Sequence, residues 1–488
     1  MKKSIALLFL SFLLVLAGCT SKESDSDGNV KNGKSTLKVL GFNAPFDPNK
    51  SVMAKDIEDT TGYKVEYFML PSENPDQKLN IEIASRADYD ILALSPSQFY
   101  TLASQGALLP LNDLLNDYGE NIKKAILPES WELTTFDGEI FGIPQKNERA
   151  NIEGGLYVRE DILNNMDIKI PTNLDEFYDA LVKIKEETNL VPLTGGPQIW
   201  IPTIFSAFGL ATDWAEVDGS LVPRLLMPET KEYIAFMKKL YDEGLLDKDW
   251  AINQPATVKE KFASGKAAFV FGSWNDSPQL VPPLKESEPS SIISIVQPLE
   301  GKDGSVGIQA SQRLMWIHAI PRYSKKHKDA INFMDKKLQF DNFQYLTLGV
   351  EGETFTEEND IYNPIHPLFS EKRQDAWWYL NGMDEHKYPD MWLARIKKDE
   401  NIFHYFQELN NPYDQYAKSD PTAWAPPMDS ESKNGQALNQ AEEDFFIRFL
   451  LGNEDLNSFD NFIENTWKED GGAEIVKEVN DWYSEQKK

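Results

Sequence analysis

The chain has 488 residues, 41% of them apolar and 12% aromatic, which exceeds one hydrophobic core and predicts two or more domains. Its 78 Asp and Glu against 49 Lys and Arg leave a net charge of -29, a field that repels nucleic acid and anionic surfaces. A single cysteine excludes an internal disulfide, so stability must come from packing.

In chain order, Lys2 and Lys3 precede an apolar run from Ile5 to Leu16. That run is too short for a permanent membrane span and predicts a removable secretion signal over residues 1–18. The closing Leu16-Ala17-Gly18-Cys19 resembles the lipobox of bacterial lipoproteins, with small residues for a peptidase and a thiol for acylation at Cys19. An ordinary signal peptide with a chance cysteine is the plainer alternative. Two or more acyl chains would anchor the body stably outside the cytoplasmic membrane, each buried methylene contributing about 0.8 kcal/mol. Residues 20–36 hold one apolar residue, Val30, and residues 19–36 predict a lipidated flexible tether. Gly28–Ser35 spells GxxxxGKS, but no strand precedes it, so phosphate binding is excluded. Glu23-x-Asp25-x-Asp27-Gly28 starts like a calcium loop, yet Lys34 stands at the closing position.

The body opens with a strand at Leu37–Leu40, a helix over 52–60 and a strand at Tyr63–Phe68. A helix over 76–85 and a buried strand at Asp90–Leu94 complete a β-α-β-α-β order and a mostly parallel sheet. Asp137-Gly138 marks a hairpin turn. A second alternation starts at Leu156–Arg159. The next helix opens at Pro171-Thr172, where Thr172 and Asp175 suit a variant capping box, and Leu174, Phe177, Leu181 and Ile184 form its apolar face. Lys266–Phe271 predicts a buried strand ending at Gly272-Ser273-Trp274, and Leu314–Ile320 a further strand. The last third is helical, with Ile475, Val476, Val479, Trp482 and Tyr483 on the final apolar face.

Traces of catalysis are few. There is no GxSxG or HExxH, and the five histidines are too scattered for a local metal motif. A glycosidase-type carboxylate pair stays open, since 78 acids supply many candidates. Asp167, Asp175 and Glu176, with a carbonyl of Lys169 or Pro171, form a possible Ca²⁺ set; stabilisation of a helix N-terminus is the competing role. Trp200, Trp274 and the pair Trp377-Trp378 are candidates for stacking on sugar rings, with core packing as the alternative. Trp274 follows a strand end, where ligands of open α/β sheets bind.

Eight segments then fall in an order that resembles a known family: Tyr89–Leu92, Gly106–Asn112, Asp137–Pro144, Leu156–Leu163, Pro171–Phe177, Gly265–Phe269, Gly349–Glu353, and Asp460–Phe462 through to Trp482. The chain resembles the extracellular solute-binding proteins of family 1, lipid-anchored capture subunits of ABC importers, in the LplA/LipO-like branch linked to oligosaccharide uptake. The resemblance implies an α/β, two-lobed periplasmic-binding-protein fold of type II with ligand in the cleft between lobes. It implies lobe crossings near 150–156, 305–312 and 370, with residues 37–152 and 310–372 in one lobe and 153–309 and 373–488 in the other. Trp274 matches the family's glycine-aromatic position after a strand. Tyr157, Glu351, Asn147 and Arg149 are further ligand candidates, the last two flanking a hinge. The expected partners are a carbohydrate and ABC permease subunits, the body being monomeric and needing no cofactor beyond possible calcium. A lipid-anchored polysaccharide hydrolase or lyase, and a sensor reporting to a membrane kinase, are the competing functions. Residues 370–430, with Trp424-Ala425-Pro426-Pro427, match no pattern and are where ligand identity is expected to be written.

Overall fold

The computed structural model describes residues 36–487 other than 73, 147–150, 199, 312–313, 360 and 427. The expected signal segment, Cys19, Asn147 and Arg149 lie outside the described residues. The two larger sheets are built from β1 (Leu37–Gly41), β2 (Val65–Met69), β3 (Ile91–Leu94), β4 (Ile143–Lys146), β5 (Gly154–Arg159), β6 (Val191–Thr194), β7 (Ala267–Ser273), β8 (Ile293–Val296) and β9 (Leu314–Ala319). Among the described residues no helix is long and apolar enough to cross a membrane.

The first sheet runs β2-β1-β3-β9-β4. β1 is parallel to β2 and β3, and β9 returns antiparallel between β3 and β4. Local sequence explains the alternation. Helix Val52–Thr61 begins where the Ser51 hydroxyl accepts the Met53 N–H, and ends at Gly62 with φ 71°. β3 is apolar at every position and buried on both faces, as a central parallel strand must be. Asp137 and Gly138, with φ of 51° and 79°, close the hairpin Thr135–Phe136/Glu139–Ile140. Both positive values are what a two-residue hairpin turn requires.

The second sheet runs β8-β5-β7-β6, with β5 antiparallel to both neighbours and β6 parallel to β7. The helix over Leu174–Glu187 corrects the capping expectation. Asn173, not Thr172, is its cap, accepting the Glu176 N–H at 2.9 Å, while the Glu176 carboxylate accepts the Thr172 N–H and hydroxyl at 3.0 Å. The Asn173 side-chain carbonyl reaches the third helical amide, so the Glu176 carboxylate is left to bind back to Thr172. The C-terminal helices Asp429–Leu450 and Ala473–Gln486 pack on the second lobe, where Phe445, Phe446, Phe449 and Ile475 share a core with Phe177 and Tyr233.

Two crossing segments lie side by side, the Ser311 N–H donating to the Asn151 carbonyl at 2.8 Å. The third passage comes later than 370. Ala376–Tyr379 still packs on the first sheet, where the Trp378 indole donates to the Phe42 carbonyl and the Tyr379 hydroxyl to that of Pro48. The buried Lys337 ammonium holds the same stretch through the Tyr379 carbonyl and the Asn381 side chain. Helix Tyr388–Ile396 packs beside Phe340–Leu348, and helix Glu400–Asn410 sits against Ser277–Ser287 and β8.

Gly41 makes that first-lobe packing possible, because a Cβ there would stand 2.6 Å from Cζ2 of the buried Trp378. The change Gly41→Ala is expected to destabilise the chain by about 1–3 kcal/mol through overpacking. A lower urea midpoint at unchanged slope would show it; an unchanged midpoint would mean that Trp378 has room to move.

Candidate ligand cleft

The ends of strands from both sheets converge on one cleft. Pro96 and Tyr100 follow β3, Lys146 closes β4, Leu314 opens β9, Gly154 opens β5, and Phe271 and Ser273 close β7. The cleft comprises three cavities in series. The first, about 600 Å³, is walled by β5, β7 and the crossing residues Ile308–Ser311. It shares Trp200, Asp213, Arg224, Thr422 and Ala423 with the second, about 770 Å³, which adds Pro96, Tyr100, Leu133 and Leu314 from the first lobe. The second shares Tyr100, Leu133, Trp424 and Pro426 with the third, about 650 Å³.

Aromatic faces and fixed polar groups alternate along it. Phe271 is 37% exposed in a strand otherwise mostly buried. It lies against Gly154, where a Cβ would stand 3.0 Å from the Phe271 ring and 2.9 Å from the Gly272 carbonyl, so only glycine fits. Trp200 stacks on Tyr233 at 5.3 Å and 6°, and its indole donates to Glu442 at 2.5 Å. The Arg224 guanidinium lies 4.3 Å over Phe205 and 5.4 Å from the Trp200 ring centre, and donates to Asp213 at 2.6 Å. Gln309 from the second crossing segment accepts the Asp213 N–H at 2.9 Å and donates to its carboxylate at 3.2 Å. Asp420 anchors the loop carrying Trp424 by accepting from Trp214 N–H, Thr422 N–H and the Thr422 hydroxyl. Such pairing of flat apolar faces with oriented donors and acceptors suits a polyhydroxylated ring.

A comparison with known proteins fits this geometry. The family described as "Bacterial extracellular solute-binding protein" matches residues 44–336. The chain belongs to that family. It is 27% identical to Lipoprotein LipO of Bacillus subtilis, over 97% of each chain. It is 25% identical to the polygalacturonan/rhamnogalacturonan-binding protein YtcQ of Bacillus subtilis, over 99% of this chain and 98% of that one. Among solved structures, Streptococcus pneumoniae FusA in complex with kestose superposes with a TM-score of 0.69 at 17% identity, covering 93% of this chain and 99% of that one. At that identity the likeness speaks to the fold, which is the two-lobed α/β fold of type II solute-binding proteins.

The structure distributes the sequence candidates of this solute-binding protein unevenly. Trp200 lines the first and second cavities. Trp274 is 7% exposed and sits in the seam between lobes, 5.5 Å from Phe406 and 6.1 Å from Trp392, its indole donating to Asn151. It lines none of the three cavities, because the chain turns inward after β7 and buries the ring. Trp378 is core, for the reasons given above. Trp377 is half-buried against Phe42, which stacks on Trp316 at 3.8 Å, beyond the end of β1. Tyr157 is fully buried, its hydroxyl bound to the Ser273 carbonyl, and Glu351 is exposed away from the cavities. The acidic set does not converge. Asp175 faces Lys302 at 3.3 Å, Glu176 is committed to Thr172, and no group of three ligating side chains fit for a metal occurs among the described residues. Arg224, Asp213, Gln309, Glu442, Phe271 and Tyr100 were not singled out by sequence. Only Phe271 carried a signal, as a large ring at the open end of a strand.

Burial of its carboxylate pushes Glu442 up to about 7, although the Trp200 indole and Arg224 favour the charge; Glu443 and Asp213 push it further up. From its ordinary value of 4.5 up to about 7, the folded chain holds a proton that the unfolded chain has released. The associated stability is fully present below the lower value and lost as pH rises through the upper one. Glu442→Gln, which keeps an acceptor for Trp200, is therefore expected to exceed the native chain in stability at pH 8 by about 2–4 kcal/mol. The advantage should fade toward pH 4. Equal urea midpoints for the two proteins at pH 8 would show that the carboxylate is better solvated than the fold indicates.

Proposed function

We propose that this chain is the lipid-anchored substrate-binding subunit of an ABC importer, capturing an oligosaccharide between its lobes for delivery to a membrane permease. The observation that carries the reading is the series of connected cavities, in which aromatic faces alternate with oriented polar groups. The ligands named for YtcQ and FusA, polygalacturonan/rhamnogalacturonan and kestose, support carbohydrate as the class. Binding needs no bond broken. Contacts from Tyr100 and Leu314 on one lobe and Trp200 and Arg224 on the other let a ligand favour the closed arrangement.

The test is thermal unfolding of the full chain in detergent against a panel of mono- and oligosaccharides. A ligand at a hundred times its Kd should add about 2.7 kcal/mol, a shift of a few degrees. Arg224→Ala should weaken the active sugar at least tenfold, since it removes a stacked donor and frees Asp213. A flat panel would remove sugar as the ligand class, and steady consumption of a bound sugar would make the protein an enzyme.

The anchor rests on Leu16-Ala17-Gly18-Cys19 and on the lipoprotein relative LipO. Cys19→Ser is expected to abolish incorporation of labelled palmitate and release the protein into the medium. Retained label in that variant would place the lipid elsewhere.

A further inference from the structure

We propose that the third cavity is a distal subsite, where an uncharged sugar residue far along the bound oligosaccharide stacks on Trp424. This rests on the carbohydrate reading above and adds ligand length and charge to it.

Three observations converge on it. The third cavity is continuous with the second through Tyr100, Leu133, Trp424 and Pro426. Each cavity alone falls within the roughly 300–1,000 Å³ that holds one compact ligand, so a short sugar seated in the first or second leaves the third in water. Trp424 is a wall of both the second and third cavities, so a chain passing between them crosses its indole. That indole is 36% exposed although its loop is fixed by Asp420, with turns closed by Ala423 N–H to the Asp420 carbonyl and Ala425 N–H to that of Thr422. An exposed indole carried on a hydrogen-bonded loop offers stacking area while its backbone is already ordered.

Charge decides the kind of sugar. Glu129 and Glu132 stand exposed in the third cavity. The one cation among its described lining residues, Lys146, is already shared between Glu385 at 3.6 Å and the Trp424 ring at 5.6 Å. Among the described lining residues a uronate carboxylate there would face two acids and no unpaired cation, whereas a neutral ring would meet the indole and the Gln486 amide.

The test is calorimetric titration of the full chain in detergent with malto-, xylo- and fructo-oligosaccharide ladders and a matched oligogalacturonate ladder, each from two to eight units. Affinity is expected to rise with length in one neutral series. Trp424→Ala should cost roughly three- to tenfold on the long members and less on the short ones, with Trp424→Phe restoring most of the difference. Oligogalacturonates of equal length should bind more weakly. Melting of the unliganded variants beside the native chain separates lost stacking from lost folding. Short members that bind while long ones gain nothing, or a Trp424→Ala loss equal at every length, would overturn the subsite and leave the carbohydrate reading standing. Tighter binding of the uronates would overturn its neutral character. No binding in any series would end the carbohydrate reading, and the subsite with it.

Discussion

The two lobes are held in register by an aromatic seam, and the cleft exists because of where that seam runs. Trp274, Trp392 and Phe406 meet edge to face within 5.5 to 6.1 Å, drawing one ring from the second lobe's strand end and two from successive helices. The backbone is tied to the same point. Trp274 N–H donates to the Glu153 carbonyl, the Trp274 indole to Asn151, and Asn410 both accepts from Ile152 N–H and donates to its carbonyl. Rings packed edge to face add about 1 kcal/mol each beyond their burial, but geometry matters more here. With one side of the interlobe gap filled by fixed rings, only the other side is left open to a solute.

Within that opening the polar groups are committed before any ligand arrives. Arg224 is stacked on Phe205 and bridged to Asp213, which is fixed by Gln309 from a crossing segment. Glu442 is fixed by Trp200, itself stacked on Tyr233. Partial loss of water at the cavity rim, with the charges of Asp213 and Glu478, also raises Glu431 of the second cavity above its usual range, although the residue stays exposed. Acids crowded around a single guanidinium make this wall a poor host for a carboxylate and a fair one for hydroxyls, which donate to carboxylates at short range.

The fold was largely legible in the sequence, because periodicity and turn chemistry act over a few residues. A helix is expected over 52–60, Asp137-Gly138 marks a hairpin turn, and the unbroken apolar run of β3 reads as a buried strand. The cleft was less legible, since its residues are distant in sequence and chosen by packing. Trp274 follows Gly272-Ser273 at a strand end and Trp200 follows Gly195-Gly196-Pro197, yet one is sealed in the seam and the other faces the cavities. What separates them is a neighbour far along the chain: Trp392 for the first, Glu442 for the second. Trp424 stood in a stretch that matched no pattern, because its exposure depends on Asp420 holding a loop against Trp214. No local rule contains that contact.

The division of the lining between lobes implies an order of events. The first cavity is walled by the second lobe and the crossing segments, so its contacts are available whatever the lobe separation. Among the described residues, first-lobe side chains enter only at the second and third cavities, with Pro96, Tyr100, Leu133 and Leu314 in the second and Glu129, Glu132 and Lys146 joining Tyr100 and Leu133 in the third. A ligand shifts a conformational equilibrium only by its differential affinity for the two states. A short sugar confined to the first cavity touches one lobe and has little such difference. A longer one reaches Tyr100 and is bound better when the lobes are together. Chain length is therefore coupled to closure by the placement of the walls, and a permease that engages the closed form would receive long ligands in preference to short ones.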